Sequence, residues 1–444
     1  MNLQPTPTTS TAARKSSAPT WLLRATLLTA IGLQSALAAD TGIMQGFPPA
    51  ADKRVTKANA FQPAYLRWAA SHARELSPTR NIARADAPLT LPDGTQRHLD
   101  DLAFPLGEAS LTLARYLQET STDGFIVLHR GAVVYERYFD GFGTRQPHIW
   151  ASMTKSVTGL LAAQLIAEGK LDPNAKLARY VPDLAGTPFG EASVQQNLDM
   201  EVPTAYPEGV PPDLGLFAAT GIIPRKPGMP GSIYDFLKLV KPSAGNTPLF
   251  FYQNGSPEAV AWALRRITGQ SWSELVSERI WSRFAVDDAY VQVDALGTEM
   301  ASGGISSSLR DTARFAELVR REQAGKSAGD SFAQAVRSVF TTHDNQALVA
   351  SGSKANQRDG YSYRNYWYQK NDGDGSVEAA GRFGQKIYIN PTRELVVVKL
   401  ASAPDLAPRA TQAAAGTQAP APRAVDSQQA FNGMIAALLQ AIPE

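Results

Sequence analysis

Two strand-rich segments near opposite ends of the chain constrain its fold most strongly. Residues 125–138 and 386–400 each contain two runs of β-branched and aromatic residues around a short turn with glycine or proline, which predicts a β-hairpin in each segment. Between them the apolar residues take up helix spacing, first at 157–165. Strands from both ends can share one sheet that helices cover. We therefore predict an α/β (α+β) fold: an antiparallel sheet built from N- and C-terminal parts, flanked by helices, with an inserted, mostly helical domain.

These elements divide the 444-residue chain into four parts, and its length allows more than one hydrophobic core. Residues 1–38 are predicted to be a signal peptide and residues 39–115 an N-terminal extension. The sheet domain would combine residues 116–155 with residues 290–444. The helical domain would span residues 156–289.

Several helix boundaries can be predicted from local signals. Ser256 precedes a proline, which indicates a helix with serine as the N-cap and proline in the first turn. Ser308 has an aspartate three positions later, the spacing of a capping box. A last helix is predicted at 427–441, after a predicted loop at 403–425 that is rich in alanine, proline and glutamine.

The N-terminal segment has the pattern of an export signal. Three basic residues precede or begin an apolar run at 25–33, and the run is followed by the small-residue site Ala36-Leu37-Ala38. The run is much shorter than the roughly 20 residues that span a bilayer. We therefore expect cleavage near Ala38, no stable membrane insertion, and a mature protein in the periplasm or outside the cell.

Composition excludes several classes of function. Lysine and arginine number 43 against 41 acidic residues, so no basic excess indicates binding to nucleic acid. The absence of cysteine excludes disulfides, thiolate metal sites and a cysteine nucleophile. No two of the five histidines lie within four residues of each other, so paired-histidine metal motifs are missing. We expect neither a metal nor a cofactor.

Ser152 and Lys155 form a Ser-x-x-Lys motif that opens an apolar helix. Residues three apart share a helix face, so the hydroxyl would lie beside the amine. A serine hydroxyl is a poor nucleophile until a base takes its proton, and a lysine in a suitable environment can be that base. The alternative is a serine N-cap followed by a solvated lysine. A second Ser-x-x-Lys, at 351–354, has polar, glycine-rich neighbours and is predicted to be a loop.

Tyr252 and Asn254 form a Tyr-x-Asn motif just before the helix predicted at Ser256. A tyrosine beside an ammonium group can lose its proton more easily and relay a proton to a leaving group. The same pattern occurs at Tyr363 and at Tyr388. Only its place in the order of motifs favours Tyr252.

This order of motifs resembles that of the serine β-lactamase and penicillin-binding group in its class C form. Finer features resemble the 6-aminohexanoate-dimer hydrolase branch, and the resemblance covers about residues 115–403. These features are Tyr180-Val-Pro-Asp-Leu-Ala-Gly186, Leu198-Asp-Met200, Tyr252 ahead of Ala261-Trp262, Gly303-Gly-Ile-Ser-Ser307 before Arg310-Asp311, Gly384-Gln385 and Val396-Val-Val-Lys-Leu400.

The resemblance implies a β-lactamase-like fold and a serine hydrolase that cleaves a small ester or amide through an acyl-enzyme. Ser152 would be the nucleophile, with Lys155 and Tyr252 as its general base system. Asn254, Gly381 and Arg382 would contact the substrate. The backbone N–H groups of Ser152 and Arg382 would form the oxyanion hole.

Three positions depart from the resembling families. Ala379 stands where a β-lactamase has the lysine that helps to hold the antibiotic's carboxylate. Phe383 replaces a histidine frequent in the dimer-hydrolase branch, which predicts a more apolar rim. Val210 falls where that branch has a substrate-binding tyrosine.

Other functions remain open at this point. A β-lactamase or DD-peptidase would act on β-lactams or muropeptides with the same residues. A non-catalytic ligand-binding module, or a structural envelope protein, could keep the fold without turnover. The sequence leaves the oligomeric state open.

Overall fold

The computed structural model of the protein describes residues 42–243, 250–325, 329–351, 358–404 and 424–442. The predicted signal peptide and most of the loop predicted at 403–425 lie outside these residues. Residues 40–444 group into one compact unit. The boundary predicted between a sheet domain and a helical domain stays a prediction.

The strands are short outside one central group. In chain order they are β1 Thr79–Ile82, β2 Ala103–Leu106, β3 Ala109–Thr112, β4 Thr122–His129, β5 Ala132–Tyr138, β6 His148–Ile149, β7 Thr204–Ala205, β8 Lys241–Pro242, β9 Ala289–Gln292, β10 Ile305–Ser307, β11 Ser362–Arg364, β12 Trp367–Gln369, β13 Val377–Gly381, β14 Gln385–Asn390 and β15 Leu395–Ala401.

Helices occupy much of the chain between β6 and β11. In chain order the α-helices are α1 Pro63–Ser71, α2 Ala73–Leu76, α3 Leu113–Glu119, α4 Thr154–Ala167, α5 Pro188–Glu191, α6 Val194–Leu198, α7 Pro212–Thr220, α8 Ile233–Leu239, α9 Gly255–Thr268, α10 Trp272–Arg279, α11 Leu309–Ala324, α12 Ser331–Phe340, α13 Gln346–Ser351 and α14 Gln428–Ala441.

A seven-stranded antiparallel sheet joins the two ends of the chain, as predicted. Its strand order is β11-β12-β13-β14-β15-β4-β5. The two predicted hairpins are β4–β5 and β14–β15, and they meet where β15 pairs with β4, with Leu395 opposite His129. The β-lactamase-like fold class predicted from the sequence is confirmed.

The sheet is buried on both faces. Successive residues of β15 point to opposite sides, so Val396 and Val398 belong to a large core with α4, α9 and α11. Val397 belongs instead to a second core with α3 and α14. Burial on both sides explains why the whole of β15 is apolar apart from one lysine.

The N-terminal extension reaches the region around Ser152 through a second, four-stranded sheet. Its strand order is β1-β9-β10-β6. Strand β1 of the extension therefore pairs with β9, β9 pairs with β10, and β10 pairs with β6. The segment after β6 contains Trp150, whose indole N–H lies within hydrogen-bonding distance of the hydroxyls of Ser307 (2.9 Å) and Thr312 (3.0 Å). The start of the Ser-x-x-Lys segment is thereby fixed to α11.

The helix starts agree with the sequence in two places and differ in one. Ser308 caps α11 by accepting the amide of Asp311, and Ser427 caps α14 in the same manner. The prediction that Ser256 caps a helix is wrong, because α9 begins at Gly255 after Asn254. Among the described residues no helix is long and apolar enough to cross a membrane.

Candidate active site

Ser152 lies in a single 3-10 turn, Ala151–Met153, that leads directly into α4. Ala151 has a positive φ of 47°, a conformation that costs free energy for a residue with a side chain and often occurs at functional sites. Every residue of α4 from Thr154 to Leu165 is buried, so the helix is rigidly enclosed. Ser152 itself is only half-buried and lines a pocket.

Lys155 lies beside Ser152, and the alternative that it is a solvated helix residue is wrong. Its Nζ is 2.8 Å from Ser152 Oγ, and the residue is 1% exposed. The amine also donates to Asn254 Oδ1 at 2.7 Å and to the carbonyl oxygen of Ser302 at 2.8 Å. Those two oxygens accept only, so the third position on the nitrogen faces the hydroxyl of Ser152. A neutral amine could accept the serine proton there, and an ammonium could donate it back.

Asn254 positions the lysine rather than capping its helix. Its Oδ1 accepts from Lys155, while its Nδ2 donates to Asp213 Oδ1 at 2.8 Å. The side chain makes no cap hydrogen bond to α9. Asn254 also lines the pocket, where it was predicted to contact substrate.

Tyr252 joins the same group through a hydrogen bond between its hydroxyl and the side chain of Ser152. Lys155 Nζ lies 5.3 Å from the centre of its ring. Burial raises the pKa of Tyr252 well above its usual value, the nearby Tyr368 raises it further, and the bond to Ser152 only partly opposes them. The expectation that this tyrosine loses its proton more easily is therefore wrong in direction, and the phenol stays protonated.

Glu258 supports the segment that holds Lys155. It is fully buried in α9, and its carboxyl accepts the backbone N–H groups of Ala301 at 3.2 Å and Ser302 at 2.8 Å. Burial raises its pKa to about 7, although bonds from Ser302 oppose the shift. These contacts hold the backbone at Ser302, whose carbonyl oxygen accepts from Lys155.

Gly381 and Arg382 end β13 next to the Ser152 turn. A Cβ on Gly381 would lie 2.3 Å from the carbonyl oxygen of Trp150, so only glycine allows β13 to approach this closely. Arg382 follows at once and lies with its guanidinium 5.5 Å from the ring centre of Phe217. The structure thus brings all six residues predicted for the site to one pocket or its immediate wall.

The pocket has a volume of about 510 Å³ and contains more than the predicted residues. One side is apolar and includes Phe61, Phe217 and Phe383, with Phe61 5.7 Å from Phe383 between ring centres. The lining also includes charged residues, among them Arg358, Lys386, Lys399 and Asp426. Ser152 and Tyr252 lie in the same pocket.

Comparison with known proteins agrees with this geometry. A sequence profile of the Beta-lactamase family matches residues 112–419, more than half of the chain. The chain belongs to the β-lactamase family. Within this family it is 32% identical over 366 residues to the 6-aminohexanoate-dimer hydrolase of Paenarthrobacter ureafaciens, covering 81% of this chain and 91% of that protein. The structure of a candidate 6-aminohexanoate-dimer hydrolase from Bacillus anthracis is 31% identical, with a TM-score of 0.77 over 90% of this chain and all of that one.

The three departures from these β-lactamase relatives can now be placed. Ala379 is buried in the large core. Phe383 lies at the rim against Phe61, as the prediction of an apolar rim requires, and has a positive φ of 66°. Val210 is buried, and a Cβ on Gly215 would lie 2.7 Å from its side chain.

Several residues of this β-lactamase-family pocket were missed by sequence reasoning. Asp213, Ser302 and Glu258 act through contacts with residues predicted for the site, and only Ser302 lies beside a recognised motif, Gly303–Ser307. Phe61 comes from the N-terminal extension, outside the matched region. No local pattern marks any of them.

The repeated motifs lie elsewhere in the β-lactamase-family fold. Tyr388 belongs to β14 and the second core, as expected of a strand residue. Tyr363 lies in β11 and contacts the ring of Tyr252 at 6.2 Å. Ser351 ends α13, and the other residues of the second Ser-x-x-Lys lie outside the described part of the chain.

One cluster in the described residues has the composition of a metal site. Asp199, Glu201 and His343 each place a possible ligand atom within 4.8 Å of the others. Contacts with Asp199 and then Glu201 raise the pKa of His343 to about 9. His343 Nε2 lies 3.2 Å from a carboxylate oxygen of Asp199 and 3.7 Å from one of Glu201, so a protonated imidazole would form an ion pair with them.

Proposed function

We propose that the protein is an exported serine hydrolase that cleaves a small ester or amide through an acyl-enzyme on Ser152. Membership of the β-lactamase family and the likeness to 6-aminohexanoate-dimer hydrolase support a hydrolase, with an amide as one candidate bond. The observation that carries the proposal is the 2.8 Å contact between Ser152 Oγ and Lys155 Nζ inside a pocket.

Acylation begins when Ser152 Oγ attacks the substrate carbonyl and Lys155 takes its proton. The bonds from Lys155 to Asn254 and Ser302 hold the amine in place during this transfer. The carbonyl oxygen becomes negatively charged in the tetrahedral intermediate. Backbone N–H groups of Ser152 and Arg382 are assigned to stabilise it, since preorganised donors stabilise developing charge.

Tyr252 donates the proton that the leaving group needs. Its raised pKa keeps the phenol protonated, and its bond to Ser152 places it at the reacting oxygen. Collapse of the intermediate then releases the alcohol or amine. Water attacks the acyl-enzyme with the same groups acting in reverse, which restores Ser152.

Intact mass spectrometry of the mature protein tests the nucleophile. We expect p-nitrophenyl acetate and a fluorophosphonate each to leave a mass adduct on the wild type and none on Ser152→Ala. The matched control is Ser156→Ala, since Ser156 is the next serine along α4 and bonds to a backbone carbonyl of Tyr366. An adduct of equal yield on folded Ser152→Ala would refute the proposal.

The second candidate function is a β-lactamase or DD-peptidase. The family match and the shared Ser-x-x-Lys favour it, whereas the buried alanine at position 379 removes the lysine that a β-lactamase uses. Benzylpenicillin separates the two. A stable penicilloyl adduct or rapid hydrolysis would favour this candidate. Ligand binding without any adduct would favour a non-catalytic binding module.

Export is proposed from the N-terminal pattern alone. We expect a bacterial host to release a form that begins at Ala39, with about 406 residues (444 − 38). The intact mass of protein from the periplasmic fraction checks this. Full-length protein confined to the cytoplasmic fraction would contradict it.

A further inference from the structure

One buried amide in the wall of the Ser152 pocket has an unsatisfied hydrogen-bonding group. Gln292, the last residue of β9, lines the pocket and is only 3% exposed. Its side-chain oxygen Oε1 is buried and has no hydrogen-bond partner among the described residues. Buried polar atoms normally have a partner, because leaving one unpaired costs free energy. A substrate group that reaches Gln292 could supply the missing bond.

The backbone of Gln292 connects this amide to the segment that holds the proposed catalytic base. Its N–H donates to the carbonyl oxygen of Gly304 at 3.0 Å, and its carbonyl oxygen accepts the N–H of Met300 at 2.9 Å. Between these two partners lies Ser302, whose carbonyl oxygen accepts from Lys155 at 2.8 Å. Gln292 therefore belongs to the part of the pocket wall that adjoins the reacting groups.

The face of the four-stranded sheet that carries Gln292 forms this wall. Val291 belongs to the large core, so Gln292 points to the opposite side of β9. Ile149 of β6 is opposite Ser306, which is in turn opposite Tyr290, two residues before Gln292. Residues directly opposite each other in antiparallel strands share a face. Ile149 and Gln292 are therefore on one face, and both line the pocket.

The amide of Gln292 can turn toward a ligand. No described residue bonds to Oε1, so a rotation about the side-chain torsions breaks no hydrogen bond at this atom. An amide oxygen is a hydrogen-bond acceptor, so the group that suits it is an N–H or O–H donor.

The charges around Gln292 favour a neutral donor over a cation. A bound cation would need a carboxylate beside it, and the two acidic residues between β9 and β10 have other partners. Asp294 accepts three backbone N–H groups, and Glu299 pairs with two arginines. Two further carboxylates line the pocket: Asp213 accepts from Asn254, and Asp426 lies just before α14, which covers the other face of the main sheet.

We propose that Gln292 is a specificity-determining residue that accepts a hydrogen bond from a neutral donor, a hydroxyl or N–H group, on the substrate. This inference rests on the proposed function, because it assigns a substrate class to the pocket of Ser152. The bond gives the buried amide oxygen a partner. A site that bonds such a group discriminates against an analogue with a hydrocarbon group in its place. The enzyme therefore prefers an ester or amide that carries such a donor.

Matched esters test the preference. The first pair is 4-nitrophenyl 3-hydroxybutanoate and 4-nitrophenyl 3-methylbutanoate, in which a methyl group replaces the hydroxyl. The second pair, 3-(hydroxymethyl)phenyl acetate and 3-ethylphenyl acetate, places the same exchange on the leaving group. We expect kcat/KM of the wild type to favour the hydroxyl member of at least one pair by about tenfold, the effect of one hydrogen bond to an otherwise unpaired buried group. Equal values within both pairs would overturn the proposal.

Two variants separate substrate recognition from structural support. Gln292→Met keeps the length of the side chain but loses the amide, so the hydroxyl-to-hydrocarbon ratio of kcat/KM should fall to about one. Its melting temperature should be unchanged or higher, because an unpaired buried polar group is removed. The control is Gln164→Met, at a fully buried glutamine of α4 whose Nε2 also has no partner among the described residues. The control should keep the wild-type ratio. A wild-type ratio in Gln292→Met would refute the proposal.

Calorimetry on Ser152→Ala keeps the test independent of turnover. We expect the hydroxyl member of the preferred pair to bind about tenfold more tightly than its hydrocarbon analogue, and the difference to disappear when Gln292→Met is added. Equal affinities within both pairs would refute the role of Gln292. A binding preference in a wild-type protein that hydrolyses none of the four esters would refute the proposed function alone.

Discussion

The surroundings of Tyr252 determine whether its hydroxyl can act as a general base or as a general acid. Burial and then the nearby Tyr368 raise its pKa, whereas Lys155 Nζ lies 2.8 Å from Ser152 Oγ. A base must accept a proton near the working pH, which a buried phenol does poorly. The proposed mechanism therefore assigns the base role to Lys155 and the acid role to Tyr252.

Tyr252→Phe should separate amide from ester hydrolysis. The variant keeps the ring packing but loses the proton donor, and a general acid contributes roughly 10²–10⁴-fold. Because an amine leaves only when protonated and 4-nitrophenolate leaves without help, we expect the larger loss of kcat with the amide. Stopped assays on an anilide and a 4-nitrophenyl ester of the same acid measure both. Tyr363→Phe, in the neighbouring ring, is the control. An equal loss on both substrates would exclude the acid role.

Glu258 affects the position of Lys155 indirectly, through the backbone of Ser302. Its carboxyl accepts the backbone N–H of Ser302, and the carbonyl oxygen of Ser302 accepts from Lys155. Glu258 itself is buried in α9. Because its folded pKa is about 7, above its usual value of 4.5, the native state binds this proton more tightly than the unfolded state does. Its contribution to stability is therefore largest below pH 4.5 and is lost as the pH rises through 7.

Glu258→Gln should remove that dependence. We expect the free energy of unfolding of the variant, relative to that of wild type, to increase between pH 5 and pH 8 by on the order of 1–3 kcal/mol, because only the wild type loses stability over this range. Urea denaturation at the two pH values measures it. The exposed Glu274, in the neighbouring helix, provides the control variant Glu274→Gln. A difference that is constant with pH would contradict the assigned shift.

At the scale of elements, the parts that could be predicted are those with local signals. The hairpins β4–β5 and β14–β15 have their strands and turns side by side in sequence, and α4 has a clear apolar spacing. The start of α9 was mispredicted: Ser256 lies inside the helix, and Asn254 before it makes no side-chain cap bond and instead contacts Lys155 across 99 residues. Local capping rules do not include such competition.

The N-terminal extension contributes a pocket residue, Phe61, that local sequence signals do not reveal. Phe61 precedes α1 and meets Phe217 and Phe383 at 5.9 Å and 5.7 Å between ring centres. No pattern around position 61 indicates a pocket residue, because its partners lie far along the chain. The extension thus contributes to the apolar lining of a pocket whose proposed catalytic residues all come from later elements.

Phe61→Ala should alter selectivity more than the chemical step. Loss of a partly buried ring reduces the binding free energy of an apolar substrate group by roughly 1 kcal/mol, which is about a fivefold change in affinity. We expect KM to rise by this factor for a phenylacetate ester and less for an acetate ester, with little change in kcat. Phe47→Ala, at a fully exposed phenylalanine of the same extension, is the control. A uniform rise in KM for both esters would count against the assignment.

The stability of the whole molecule depends on a sheet that combines strands from both ends of the chain and is covered on both faces. The large core lies on the face with α4 and α9, and α14 covers the other face together with α3. The last helix brings Phe431, Met434 and Leu438 against that face, all nearly fully buried. Coverage of this face therefore depends on a helix that follows all the described strands of the sheet.

A chain that ends at residue 423 should therefore not fold. Each large apolar side chain of α14 contributes roughly 1.5–3 kcal/mol by burial, and several together match the 5–15 kcal/mol of a typical net stability. Leu438→Ala should cost about 2–5 kcal/mol, whereas Gln440→Ala on the exposed side of α14 should cost almost nothing. Solubility, circular dichroism and urea denaturation measure these effects. A truncated chain with cooperative unfolding and esterase activity would show that the sheet does not need α14.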